Sequence, residues 1–90
     1  MNNSYPQVLV VDDEAVVRQG IARVLEGQGL PVKMAADGSR ALEIMEAEPI
    51  GIVLIDIKMP GMDGIEVLKH IHTNYPETVV IMITGYPTIE

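Results

Sequence analysis

Residues 8–14 read Val8-Leu9-Val10-Val11-Asp12-Asp13-Glu14. Four apolar residues run without a break and stop at three acids. A run of that length reads as a strand buried on both faces, as in a parallel sheet. The form recurs downstream. Ile52-Val53-Leu54-Ile55 ends at Asp56, and Val79-Val80-Ile81-Met82-Ile83 ends at Thr84-Gly85. A weaker strand is expected over Val32 to Ala36.

Between these runs the hydrophobic period changes. From Glu14 to Gln28, Val17, Ile21, Val24 and Leu25 fall on one helical stripe. Acids in its first turn would suit the positive end of the helix dipole. Gly27, Gly29 and Pro31 are expected to stop it. Asp37-Gly38-Ser39 reads as a turn ending in a cap at Ser39, and Ala41, Leu42 and Met45 begin a second stripe. Residues 58–64 form a loop shaped by Pro60, Gly61 and Gly64. Ile65, Val67, Leu68 and Ile71 then mark a third helix. Strict alternation of strand and helix predicts an α/β fold, a doubly wound parallel sheet with right-handed crossovers. No boundary between domains falls inside the chain.

The chain has 90 residues, enough for one small domain. Phe and Trp are absent, so the core must be built from Val, Ile, Leu and Met. Six basic against thirteen acidic residues leave a net charge of −7. That balance argues against direct binding to nucleic acid, whose affinity comes from Lys and Arg at phosphates. With no cysteine there is no disulfide framework, thiolate metal site or cysteine nucleophile. No signal peptide or membrane-length apolar run is found, so a cytoplasmic domain is expected.

In an open parallel sheet, ligands bind outside the carboxyl ends of the strands, where the strand order reverses. With the expected order 2-1-3-4, the first and third strands are neighbours and Asp12, Asp13 and Asp56 meet in one crevice. Two unit charges about 4 Å apart, at an effective dielectric near 20, repel by roughly 4 kcal/mol. Such a cluster either takes up protons or recruits a cation. Carboxylates with no His or Cys beside them suit a hard ion, and open positions for water and phosphate suit Mg²⁺ rather than Ca²⁺. A carboxylate beside Mg²⁺ can also attack phosphorus. Asp56, alone at its strand end and facing the acid pair, is the better nucleophile. Thr84 on the next strand is placed to bond a phosphoryl oxygen, and Gly85 leaves room for the backbone to approach.

These residues carry a resemblance. Val10-Val11-Asp12-Asp13-Glu14, Asp56-Ile57-Lys58-Met59-Pro60-Gly61-Met62-Asp63-Gly64 and Ile83-Thr84-Gly85, with Asp37-Gly38 and Ala41-Leu42, are similar to the receiver domain of bacterial two-component response regulators. The resemblance implies a flavodoxin-like, CheY-like fold. It implies that Asp56 accepts a phosphoryl group from a sensor histidine kinase or a phosphotransfer protein. Asp13 would ligate Mg²⁺ directly, Asp12 mainly through metal-bound water, and the Lys58 backbone carbonyl would be a further ligand. Thr84 would be the switch hydroxyl, drawing its loop toward the phosphoryl group. Lys58 and Tyr86 would flank the path of attacking water and tune the lifetime of the acyl phosphate.

The same resemblance sets a limit. The chain is expected to be the N-terminal three quarters of the family unit, lacking its fourth helix, fifth strand and fifth helix, and lacking the lysine that ends the fifth strand. The output domain would lie elsewhere. Val79 to Ile83 would then be an exposed apolar edge, open to pairing with a second copy. Two other classes compete with the switch. An aspartyl-phosphate phosphatase needs an acid two residues beyond its nucleophile, where this chain has Lys58. A phosphorylation-incompetent interaction module is the nearer alternative. Acids at a strand-to-helix turn, taken alone, more often only cap the helix. His70 and His72, two apart on one helix, face different ways and are read as surface residues.

Overall fold

A computed structural model describes residues 6–57 and 64–83. The elements are β1 (Val8–Val11), α1 (Ala15–Gly27), β2 (Val32–Ala35), α2 (Gly38–Ala47), β3 (Ile52–Asp56), α3 (Gly64–Asn74) and β4 (Val79–Ile83). All strand pairs are parallel and the order is β2-β1-β3-β4. The alternation read from the apolar runs and the expected order 2-1-3-4 are both present.

β1 lies inside the sheet and all four of its residues are buried. Alternate side chains go to opposite faces. Leu9, Val11, Val53 and Ile55 join Ala41, Ile44 and Met45 of α2 and Val67 and Ile71 of α3 in one core. Val8 and Val10 point to the other face, where α1 packs and buries Ala22. The sheet is therefore wound on both sides, but unequally. On the α1 side, Val17 and Val24 are exposed and Ile21 and Leu25 are only half-buried. The expected stripe of α1 is thus incompletely covered, because among the described residues α1 is the one helix on that face.

The helix ends correct three expectations. α1 starts at Ala15, so Glu14 is its N-cap and no acid lies in its first turn. Gly27 is still helical; Gly29, at φ 89°, takes the left-handed turn that stops the helix. There the amides of Gln28 and Gly29 bond the carbonyls of Leu25 and Glu26. Asp37, not Ser39, caps α2, its carboxylate accepting from the Arg40 amide at 2.8 Å. A cap side chain must precede the first helical residue to reach the free amides of the first turn, and here that residue is Gly38. In α3, Val67 and Ile71 are buried, Leu68 is half-buried and Ile65 is exposed.

Candidate metal and phosphoryl site

The register brings the acids together. β1 and β3 are neighbours with Val11 opposite Ile55, so both strands end at the same level and Asp12 and Asp56 follow side by side. One carboxylate oxygen from each of Asp12, Asp13 and Asp56 lies within 4.8 Å of the others. The three differ in access. Asp12 is 4% exposed, Asp56 is half-buried and Asp13 is exposed.

Asp12 is held on every side. Its amide continues the ladder to the Ala35 carbonyl at 3.2 Å. Its Oδ1 accepts from the Glu14 amide at 2.9 Å. Its carbonyl accepts from Arg18 Nη1 at 2.7 Å. Burial pushes its carboxyl above the ordinary aspartate range, and the charges of Asp56 and Asp13 push the same way. The Glu14 amide and the more distant Arg18 guanidinium pull against that rise. A buried acid made harder to ionise by two further acids is the electrostatic state that a divalent cation relieves. An all-carboxylate donor set suits a hard ion.

Gly64 bears on the same end of the sheet. It is buried as the first residue of α3, and its amide bonds the Ile57 carbonyl at 3.2 Å. A Cβ there would stand 2.7 Å from the Asp56 carbonyl oxygen and 2.9 Å from the Ile57 Cα. The close approach of α3 to the end of β3 requires glycine. Without a Cβ at Gly64, the helix and strand backbones can meet. β4 runs alongside, where the Ile57 amide bonds the Ile83 carbonyl at 3.1 Å.

Of the expected site residues, the fold unites Asp12, Asp13 and Asp56 and places Gly64 behind them. Lys58, Pro60, Gly61, Thr84, Gly85 and Tyr86 lie outside the described residues. His70 and His72 are exposed on α3, as expected. Arg18 is given no role by the sequence alone. A signal was present: it is a cation near the start of a helix, where the dipole disfavours positive charge. A residue placed against that preference has a local partner, and here the partner is the Asp12 carbonyl.

Comparison with known proteins agrees with this geometry. The family model for the response regulator receiver domain matches residues 8–90. An NtrX-like response regulator of Rickettsia bellii is 42% identical over 85 residues, covering 92% of this chain and 18% of its own length. The DNA-binding transcriptional regulator NtrC of Escherichia coli is 36% identical over 83 residues, with the same two coverages of 92% and 18%. The chain thus spans about a fifth of the length of these curated relatives. The crystal structure of the response regulator TrrA from Thermotoga maritima, in complex with Mg²⁺–BeF, superposes with a TM-score of 0.86 at 32% identity. That match covers 91% of this chain and 71% of TrrA.

Proposed function

Because the chain belongs to the response regulator receiver family, we propose that it is a phosphoacceptor switch with Asp56 as the acceptor. The carrying observation is the convergence of three carboxylates at the end of the central strands, with unequal access. Asp12 is too buried to meet an incoming phosphoryl group, whereas Asp56 stands half-open on β3. In the proposed reaction an Asp56 carboxylate oxygen attacks phosphorus. The phosphorus–nitrogen bond of a phosphohistidine breaks, and its electron pair and a proton stay with the imidazole. The donor is a sensor histidine kinase or a phosphotransfer protein. Asp13 and Asp56 would hold Mg²⁺, with Asp12 acting mainly through metal-bound water and the Lys58 carbonyl as a further ligand. When bound, the ion would supply positive charge to offset that of the acids and of the transferred group. The solved relative that carries Mg²⁺–BeF supports this choice of ion.

The product adds about −1.5 to −2 charges at one strand end. Thr84 and Gly85 are the proposed responders, and Lys58 and Tyr86 the residues that set the lifetime of the acyl phosphate. The proposed chemistry is confined to phosphorylation and dephosphorylation of the chain itself. The test is mass spectrometry after incubation with Mg²⁺ and a small phosphodonor. One phosphoryl adduct is expected on the wild type and none on Asp56→Asn. An adduct of equal yield on Asp56→Asn would refute the assignment.

A second reading rests on the edge of β4. Val79 and Ile81 are exposed there, and β4 pairs only with β3 among the described residues. An edge of this composition, with no charge or proline to blunt it, pairs readily with another strand. In that reading the chain is an interaction module that self-associates without phosphorylation. Light scattering distinguishes it: a mass that rises with concentration in Asp56→Asn as in the wild type would favour it.

A further inference from the structure

We propose that Arg18 is a positioning residue for the Mg²⁺ site, setting the direction from which the Asp13 carboxylate leaves the chain. The inference rests on the Mg²⁺-dependent reading given above. Asp13 is exposed and sits in the short turn between β1 and α1. Nothing in its own burial fixes it. Its geometry therefore depends on the two peptide groups on either side.

The first of those groups joins Asp12 to Asp13. Its oxygen is the Asp12 carbonyl, which accepts from Arg18 Nη1 at 2.7 Å. A peptide group is planar, so fixing its oxygen fixes ψ of Asp12 and φ of Asp13 together. The second group ends at the Glu14 amide, which the Asp12 carboxylate accepts at 2.9 Å. The Glu14 carbonyl in turn accepts from the Arg18 amide at 2.9 Å. Arg18 thus grips the turn at both ends, once through its side chain and once through its backbone. Asp13 is the residue enclosed between these contacts. A charge-assisted bond from a planar guanidinium is among the stronger and more directional ones a side chain can make.

A second effect of Arg18 runs the other way. Its positive charge sits on the same turn as the acids and opposes the arrival of a cation. Substitution therefore separates positioning from simple charge by sign. If Arg18 acts by positioning, removing it weakens Mg²⁺ binding although a repelling charge has gone. If it acts by charge, removing it tightens binding.

The experiment is a titration of the ¹⁵N-labelled 90-residue chain with MgCl₂ at constant ionic strength, following the amides of Asp13, Glu14 and Ile57. It is run on the wild type, Arg18→Met and Arg18→Lys, and the spectra also report folding. Urea melts in EDTA give the stability of each ion-free variant. Positioning predicts about a tenfold loss of Mg²⁺ affinity in Arg18→Met, the usual scale for removing a group that orients a ligand. Arg18→Lys keeps the charge but loses the planar fork, so its affinity falls as well. Affinity that rises in Arg18→Met and holds in Arg18→Lys would overturn the proposal in favour of charge. Lowered stability with unchanged Mg²⁺ affinity would overturn it in favour of a purely structural bond. If Arg18→Met fails to fold, Arg18→Lys alone decides by the same criterion. A wild type that takes up no Mg²⁺ defeats the functional reading itself, and this inference with it. Wild-type binding with unaltered variants defeats the inference alone.

Discussion

Asp12 and Glu48 are carboxylates at opposite ends of one sheet, and their surroundings push them in opposite directions. Glu48 caps α2 beside the amino end of β1. Gln7 Nε2 donates to its Oε1 at 2.7 Å, and Lys33 Nζ stands 3.3 Å from its Oε2. Those partners, the Gln7 bond foremost, hold its carboxyl below the ordinary glutamate range. Asp12 at the carboxyl end is buried beside two more acids and is pushed up. One end of the sheet satisfies its acid with protein groups. The other brings three carboxylates within 4.8 Å of one another, so that like charges face each other there. The two ends differ in this balance of like and opposite charge, not in residue type.

The comparison is tested most severely at the glycines. Gly64→Ala drives a methyl against the Asp56 carbonyl and the Ile57 Cα, both backbone. We expect a loss of about 3 kcal/mol, the upper range for an overpacked core, with phosphorylation lost together with the placement of Asp56. Gly51→Ala at the amino end meets the Pro6 Cβ at 2.8 Å. Pro6 is exposed and can give way, so about 1 kcal/mol is expected, with the acid site unaffected. Equal losses in urea melts would show that the two ends are packed alike.

Next in size is Asp12→Asn. The amide oxygen still accepts from Glu14, but one of three mutually repelling charges is gone. Each such pair costs about 1 kcal/mol even at the dielectric of water and Asp12 takes part in two of them, so the ion-free protein should gain about 2 kcal/mol at neutral pH. A gain in EDTA and a loss of Mg²⁺ affinity are expected in the same variant. Destabilisation in EDTA would mean that the ionised carboxylate is satisfied as it stands.

The pH slopes are smaller and opposite in sign. Folded Asp12 holds its proton more tightly than the unfolded chain does. Stability in EDTA therefore falls as pH rises from the ordinary aspartate value through the higher folded one. Folded Glu48 holds its proton less tightly. It contributes stability above the ordinary glutamate value, and this is lost as pH falls through the lower folded one. Urea midpoints across this range should lose the first slope in Asp12→Asn and the second in Glu48→Gln. The Glu48→Gln effect is the smallest expected, because its ion pair with Lys33 is solvent-exposed and screened. A slope of the same sign in both variants would remove the contrast.

The fold was legible because three of the four strands advertise themselves. VLVV, IVLI and VVIMI are unbroken apolar runs separated by segments of helical period, and alternation at that spacing permits few topologies. The acids were legible because each closes such a run. Helix ends were read less well. Ser39 and Asp37 are both good caps, and only the backbone decides which one precedes the first helical turn. The stripe of α1 is legible as a stripe, but local period cannot report whether a neighbour covers the face, and Val17 and Val24 are exposed.

The order of hydrophobic runs and the residue type at each strand end were determined by the chain itself, since period and composition are local properties. That Asp12, Asp13 and Asp56 converge at one end of the sheet was decided by the tertiary structure, because only the pairing of β1 with β3 makes neighbours of distant strand ends. The same holds for Arg18 and Gly64. A guanidinium reaching back to a carbonyl, and a helix backbone resting on a strand end, depend on approach distances that exist only once the elements have packed.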